Sequence, residues 1–165
     1  MSVRGLSDLL FNGHVNGIQV GARIEPHKSD KDIILWQVQE GDIPAVYDFS
    51  FEGLKYEIAS LQGTVVGITV KLDFYPDGYF RIQSEKSERT IDFGVKTNFI
   101  DFIEFLNELG VNWRVDEDDT GEKAIGVLLD SKTKVMYSFE KDFFGFYRVI
   151  NFNLDLYQEL RKEIL

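Results

Sequence analysis

The sequence of 165 residues predicts an α+β fold: one domain, a mostly antiparallel sheet of about eight strands, and three or four helices packed on one face. Three observations predict it. Apolar and polar residues alternate with period two through much of the chain, helix start and stop signals are few but clear, and the strand-helix-strand order that a parallel sheet requires is absent. A chain of this size can bury about 70% of its unfolded surface, so a single core suffices. No run of Pro, Ser or Gly marks a linker.

The elements follow in order. A short helix is expected from Ser7 to Phe11, and a short strand from Val15 to Val20 with glycines turning the chain on both sides. Ser29 and Asp32 give a helix start signal for 30–40, which carries Ile33, Ile34 and Trp36 and ends before Gly41. Tyr47, Phe49 and Phe51 alternate with Asp48, Ser50 and Glu52, and Leu54 to Leu61 resumes the pattern after Gly53. Gln62-Gly63 then turns into Val66, Ile68, Val70, Leu72 and Phe74, so 45–52, 54–60 and 65–75 read as a meander. Pro76-Asp77-Gly78 closes it before a strand at Tyr79 to Ile82, and Ile91, Phe93 and Val95 predict another. Asn98 caps a helix over 98–109, with Asp101 three residues on and Gly110 placed to end it. Val111 to Val115, Ala124 to Leu129, Lys134 to Phe139 and Phe146 to Phe152 supply further strands, with 130–133 as a hairpin loop. Asn153 opens a last helix through Leu154, Tyr157, Leu160 and Ile164.

A helix-plus-meander unit thus recurs loosely, and the chain divides into possible pseudo-repeat halves 1–96 and 97–165. The spacing has no fixed period, and Tyr-x-Phe is common in strands in any case.

Charge excludes more than it selects. With 28 Asp and Glu against 18 Lys and Arg the net charge is −10, which opposes binding to phosphate backbones and to anionic lipid. The chain lacks Cys, so it has no disulfide framework and no thiolate metal site. Leu9-Leu10-Phe11 is too short for a signal-peptide core or a membrane span, which predicts a cytoplasmic location.

No catalytic constellation emerges. His14 and His27 lie in loop sequence, no Gly-x-Ser-x-Gly elbow accompanies them, and their spacing fits no metal motif. Gly13, Gly17 and Gly21 recur every four residues, yet no Lys-Ser or Lys-Thr pair follows as a phosphate loop would need. Nothing in the sequence calls for a cofactor or a resident metal, and the expected activity is binding rather than catalysis.

The sharpest local feature is the acidic run at Asp116, Glu117, Asp118 and Asp119, followed by Thr120, Gly121 and Glu122. Asp116, Asp118 and Thr120 fall at the first, third and fifth positions of a calcium loop with Gly121 at the sixth, but Val127 stands where the bidentate Glu belongs. The alternatives are a solvated acidic hairpin loop or a surface for a basic partner protein. Around Phe143, Phe144, Phe146 and Tyr147 the aromatics cover both faces of a segment, and Phe143, Phe144 and Tyr147 are candidate anchors for such a partner.

Leu9-Leu10-Phe11-Asn12-Gly13, Val15-Asn16-Gly17-Ile18-Gln19-Val20-Gly21, Gly41, the Tyr-x-Phe at Tyr47, Gly53-Leu54-Lys55-Tyr56 and Val66-Gly67-Ile68 together resemble a loosely defined group of small bacterial proteins. Some members of that group are immunity proteins encoded beside secreted toxins. The resemblance spans about residues 8–72, departs from the group at 22–26, and brings no catalytic residues with it. It implies a small acidic protein that acts by binding, with the acids at 116–119 and the aromatics at 143–147 meeting a basic toxin.

Overall fold

The computed structural model describes residues 4–165. In chain order the elements are α1 (Arg4–Asn12), β1 (His14–Val15), β2 (Ile18–Gln19), β3 (Ile33–Gln37), β4 (Ala45–Phe51), β5 (Leu54–Leu61), β6 (Thr64–Lys71), β7 (Phe80–Gln83), β8 (Thr90–Phe93), α2 (Phe99–Glu108), β9 (Trp113–Asp116), β10 (Ala124–Leu129), β11 (Lys134–Glu140), β12 (Phe143–Phe152) and α3 (Leu154–Ile164). Eight strands form one antiparallel sheet in the order β3-β4-β5-β6-β12-β11-β10-β9. Two four-stranded meanders therefore meet where β6 pairs with β12, Val70 opposite Val149.

The hairpins are set by local chemistry. Glu52-Gly53 and Gln62-Gly63 are two-residue loops in which both residues have positive φ, the turn whose twist matches the flanking strands. Asn16-Gly17 is a third such turn. The expected single strand over Val15 to Val20 is in fact this small hairpin of β1 and β2, because Asn-Gly reverses the chain at its centre.

The expected helix at 30–40 is also corrected. The Asp30 side chain accepts a bond from the Asp32 N–H and turns the chain, and β3 follows as an edge strand paired to β4. The expected strand over 65–75 ends at Lys71 and gives way to a short 3-10 turn at Leu72–Phe74. β7 and β8 exist as expected but pair only with each other.

One face of the sheet carries the main core. Tyr47, Phe49, Tyr56, Ile58, Ile68 and Val70 are buried there from the first meander, and Val127, Val135, Phe146 and Val149 from the second. α1 covers it with Leu6, Leu9 and Leu10, and α2 with Phe102, Phe105 and Leu106. Phe146 lies at the centre, its ring 5.1 Å from both Phe93 and Phe102 and 4.8 Å from Tyr137. Removing this apolar surface from water is the main driving force for the fold.

Both capping predictions hold: Asn98 accepts from the Asp101 N–H, and Asn153 from the Leu156 N–H. Three α-helices form among the described residues, and they divide between the faces. Phe152 follows the core-facing Asn151 by one residue, so its ring lies on the opposite face over Gly67, where it meets Tyr157 of α3 at 5.9 Å. α3 is held there by Arg161, whose Nε lies 2.6 Å from the Asp42 carboxylate, and by the Tyr157 hydroxyl, which donates to the Asp42 carbonyl. The expectation of all helices on one face is met by α1 and α2 and not by α3.

A buried polar cluster locks α1 to the second meander. The Thr133 hydroxyl donates to the Leu9 carbonyl and the Ser131 hydroxyl to the Leu10 carbonyl, both at 2.6 Å. Asn151 completes it by donating to the Thr133 hydroxyl and the Ser131 carbonyl. The Leu9 carbonyl also accepts from the Gly13 N–H, so the side chains of a distant hairpin add to the bonding of the last carbonyls of the helix.

Candidate functional site

The sequence places candidate residues in two clusters. Asp116 ends β9, and Glu117–Asp119 form a 3-10 turn that leads toward β10. The turn is held from within: the Asp116 carboxylate accepts from the Asp118 N–H, and the Thr120 hydroxyl donates to the Asp116 carbonyl while accepting from the Gly126 N–H. Lys134 of β11 reaches under it. Its ammonium lies 3.0 Å from Asp116 Oδ2 and also bonds Asp119. That hydrogen bond holds the Asp116 carboxyl below its ordinary range, against the opposing effect of partial burial.

A Ca²⁺ ion would have to displace the Lys134 ammonium from the carboxylates at the first and fourth positions of the loop. The hydroxyl at the fifth position is already engaged. Among the described residues, no group of three or more His, Cys, Asp or Glu is placed to hold a metal ion.

The aromatic candidates lie at the far end of the β11–β12 hairpin. Phe143 pairs opposite Glu140 and Phe144 opposite Phe139. Phe144 packs on the core side, its ring 5.5 Å from Tyr137, whereas Phe143 turns to the other face and meets Tyr147 at 5.3 Å. A register shift in β12 leaves Tyr147 without a partner opposite it, and burial raises the pKa of its phenol. Phe139, Phe143 and Phe144 are exposed.

The acidic and aromatic clusters do not form one patch. Asp116 is opposite Gly126, Gly126 opposite Met136, and Met136 opposite Arg148. Three strand spacings separate Asp116 from Arg148 by about 14 Å, and Phe143 lies roughly a further 15 Å along β12. Phe144 moreover projects from the other side of the sheet. Between the acidic turn and α3 the open face forms a recess of about 960 Å³ with Leu128, Lys134 and Ile150 in its floor and Asp116, Phe152 and Asp155 among its walls. Neither histidine lines it.

The structure adds a surface that the sequence reading missed. β3 is the free edge of the first meander, and its residues stand in the open: Ile34 is 62% exposed, Trp36 54% and Val38 68%, with Leu35 and Ile43 also exposed. Ile34 stands opposite Asp48 and Leu35 opposite Tyr47, so they face opposite sides of the sheet, and a bulge between Leu35 and Gln37 leaves Trp36 without a partner opposite it. The signal was present in Ile33-Ile34-Leu35-Trp36, a β-branched and aromatic run of strand length.

No protein-family model, curated protein or solved structure matches the chain. No helix of the described residues is long and apolar enough to cross a membrane.

Proposed function

We propose that this protein is a non-enzymatic binding module for a basic protein partner, most concretely an immunity-type inhibitor that acts in the cytoplasm on a toxin. The observation that carries this reading is the set of large apolar side chains left exposed at the β3 edge and at the β11–β12 hairpin end of a chain with net charge −10. Exposed apolar residues that gather in patches mark partner surfaces, and an acidic field draws in basic partners and rejects acidic ones. The acidic turn at 116–119 supplies charge at a distance from the anchors, where it steers approach. The calcium alternative has less support, because Lys134 already occupies the Asp116 and Asp119 carboxylates.

The test is co-expression with the products of adjacent reading frames. A neighbouring basic protein that arrests growth alone, and is bound and silenced by this chain, is the expected result. Neighbours that include no such protein, together with affinity capture that recovers only acidic or neutral proteins, would overturn the reading.

A further inference from the structure

We infer that the open edge of β3 is the docking site, and that it accepts an extended apolar segment of the partner, flanked by Lys or Arg, as a ninth strand of the sheet. This rests on the binding-module reading and names its surface and mode. β3 (33–37) has one neighbour, β4, so the alternate N–H and C=O groups that β4 leaves unpaired, apart from the Ile33 N–H bonded to the Asp30 carbonyl, are open to another strand on either side of the bulge at Trp36. Side chains of an added strand would lie beside Ile34 on one face and Leu35 on the other, with Trp36 at the bulge between them and Gln37. Main-chain bonds would give affinity, and these side chains selectivity.

Charge selects the occupant. Asp30 and Asp32 precede the apolar run, and Glu40 and Asp42 follow it, with Lys31 as the single base in the segment. Asp42 is paired with Arg161, but Asp30, Asp32 and Glu40 form no ion pair among the described residues. Acids therefore bracket the run at both ends. A second copy of this chain fits poorly. Antiparallel self-pairing centred on Leu35 sets Asp30 against Glu40, and pairing centred on Trp36 sets Asp32 against Glu40 and Asp30 against Asp42. Like charges directly opposite one another destabilise a strand pair. A segment with basic ends meets the same acids as complements.

The chain has two tryptophans, so Trp113→Phe leaves Trp36 as the sole indole reporter. The probe is a short synthetic peptide of alternating valine and threonine with lysine pairs at both ends, and its twin carries glutamate pairs. The lysine peptide is expected to shift Trp36 emission to the blue, to slow amide exchange over 33–38, and to bind about tenfold or more tighter than the twin. Asp32→Lys with Glu40→Lys should reverse that preference. Ile34→Lys with Val38→Lys should abolish docking at unchanged melting temperature, since both side chains are exposed.

An equal response to both peptides, or protection anywhere but 33–38, would overturn the inference. So would amides at 33–38 already protected in a dimer seen by sedimentation, which would give the edge to a second copy. The two readings fail separately. A toxin silenced equally well by the Ile34→Lys, Val38→Lys variant removes the β3 site and leaves the binding module. Peptide docking without any basic partner does the reverse.

Discussion

The two edges of the sheet carry the same backbone liability and treat it differently. β9 is four residues long, places Arg114 outward, and runs directly into the acidic turn anchored by Lys134. Short strands and charged side chains keep an edge from pairing with another chain. β3 is one residue longer and bulged between Leu35 and Gln37, but it presents Ile34, Leu35 and Trp36, with its charges only at the ends. A protein that blunts one edge and leaves the other apolar has one edge with a use. The same contrast explains the acidic run at 116–119, which serves as protection and as long-range field with no need to touch a partner.

The largest expected effect removes both edges at once, because they share one core. Phe146→Ala deletes a fully buried ring in contact with Phe93, Phe99, Phe102 and Tyr137 and should cost about 3–5 kcal/mol. Urea unfolding would read this as a lower midpoint. Loss below about 1 kcal/mol would mean that the second meander does not depend on α2 in this way. Next in size is Thr133→Val, which keeps the shape but removes one of the two bonds at the Leu9 carbonyl, leaving that from the Gly13 N–H, and one of the two the Asn151 amide donates, leaving that to the Ser131 carbonyl. It should cost about 0.5–1.5 kcal/mol. Amide exchange would locate the damage in α1, while exchange at the β3 edge stays unchanged.

The contrast between the edges also decides what could be read from sequence. The meanders were legible because each strand has one wet face, so Tyr47, Phe49 and Phe51 alternate cleanly with polar residues. The three capped or turned helix ends at Asn98, Gly110 and Asn153 were legible because capping is local. β3 was not legible as a strand. With apolar residues directed to both faces it has no period of two, and Ser29 and Asp32, which form a turn, read equally well as a helix start. The property that hid the strand is the one that marks it as a surface for a partner. For the candidate site, the acidic loop was visible but its tie to Lys134 was not, because the pairing depends on β10 lying between β9 and β11. The split of Phe143 from Phe144 likewise follows from pleat, and no composition signal records it.

A smaller effect tests what keeps the β9 edge closed. Lys134→Met leaves Asp116 and Asp119 as unneutralised neighbours and should cost about 0.2–1 kcal/mol at neutral pH. The sign with pH follows from Asp116. Its carboxyl is held below the ordinary 3.8 in the folded state, so its contribution is complete above that value and is lost as pH falls through the lower folded value. The wild-type protein should therefore lose stability on acidification through this range more steeply than Lys134→Met, and the two melting curves should converge at low pH. Parallel curves would mean that the Lys134 contact is not maintained in solution.

The smallest expected change in stability gives the sharpest comparison, because it exchanges the character of the edges. Trp36→Lys at β3 and Arg114→Ile at β9 both alter exposed side chains, so each should leave unfolding free energy within about 0.5 kcal/mol. Association is where they should part. Trp36→Lys gives β3 the charge that β9 carries, and it should lower light scattering at high protein concentration. Arg114→Ile gives β9 an apolar edge residue, and scattering should rise as that edge becomes available to other chains. Net charge alone would give the reverse signs, because Trp36→Lys moves the chain from −10 to −9 and Arg114→Ile to −11, so a rise with the first and a fall with the second would leave the contrast between the edges without consequence. A fall with Trp36→Lys and a rise with Arg114→Ile at equal stability require that edge chemistry decides which side of the sheet is open.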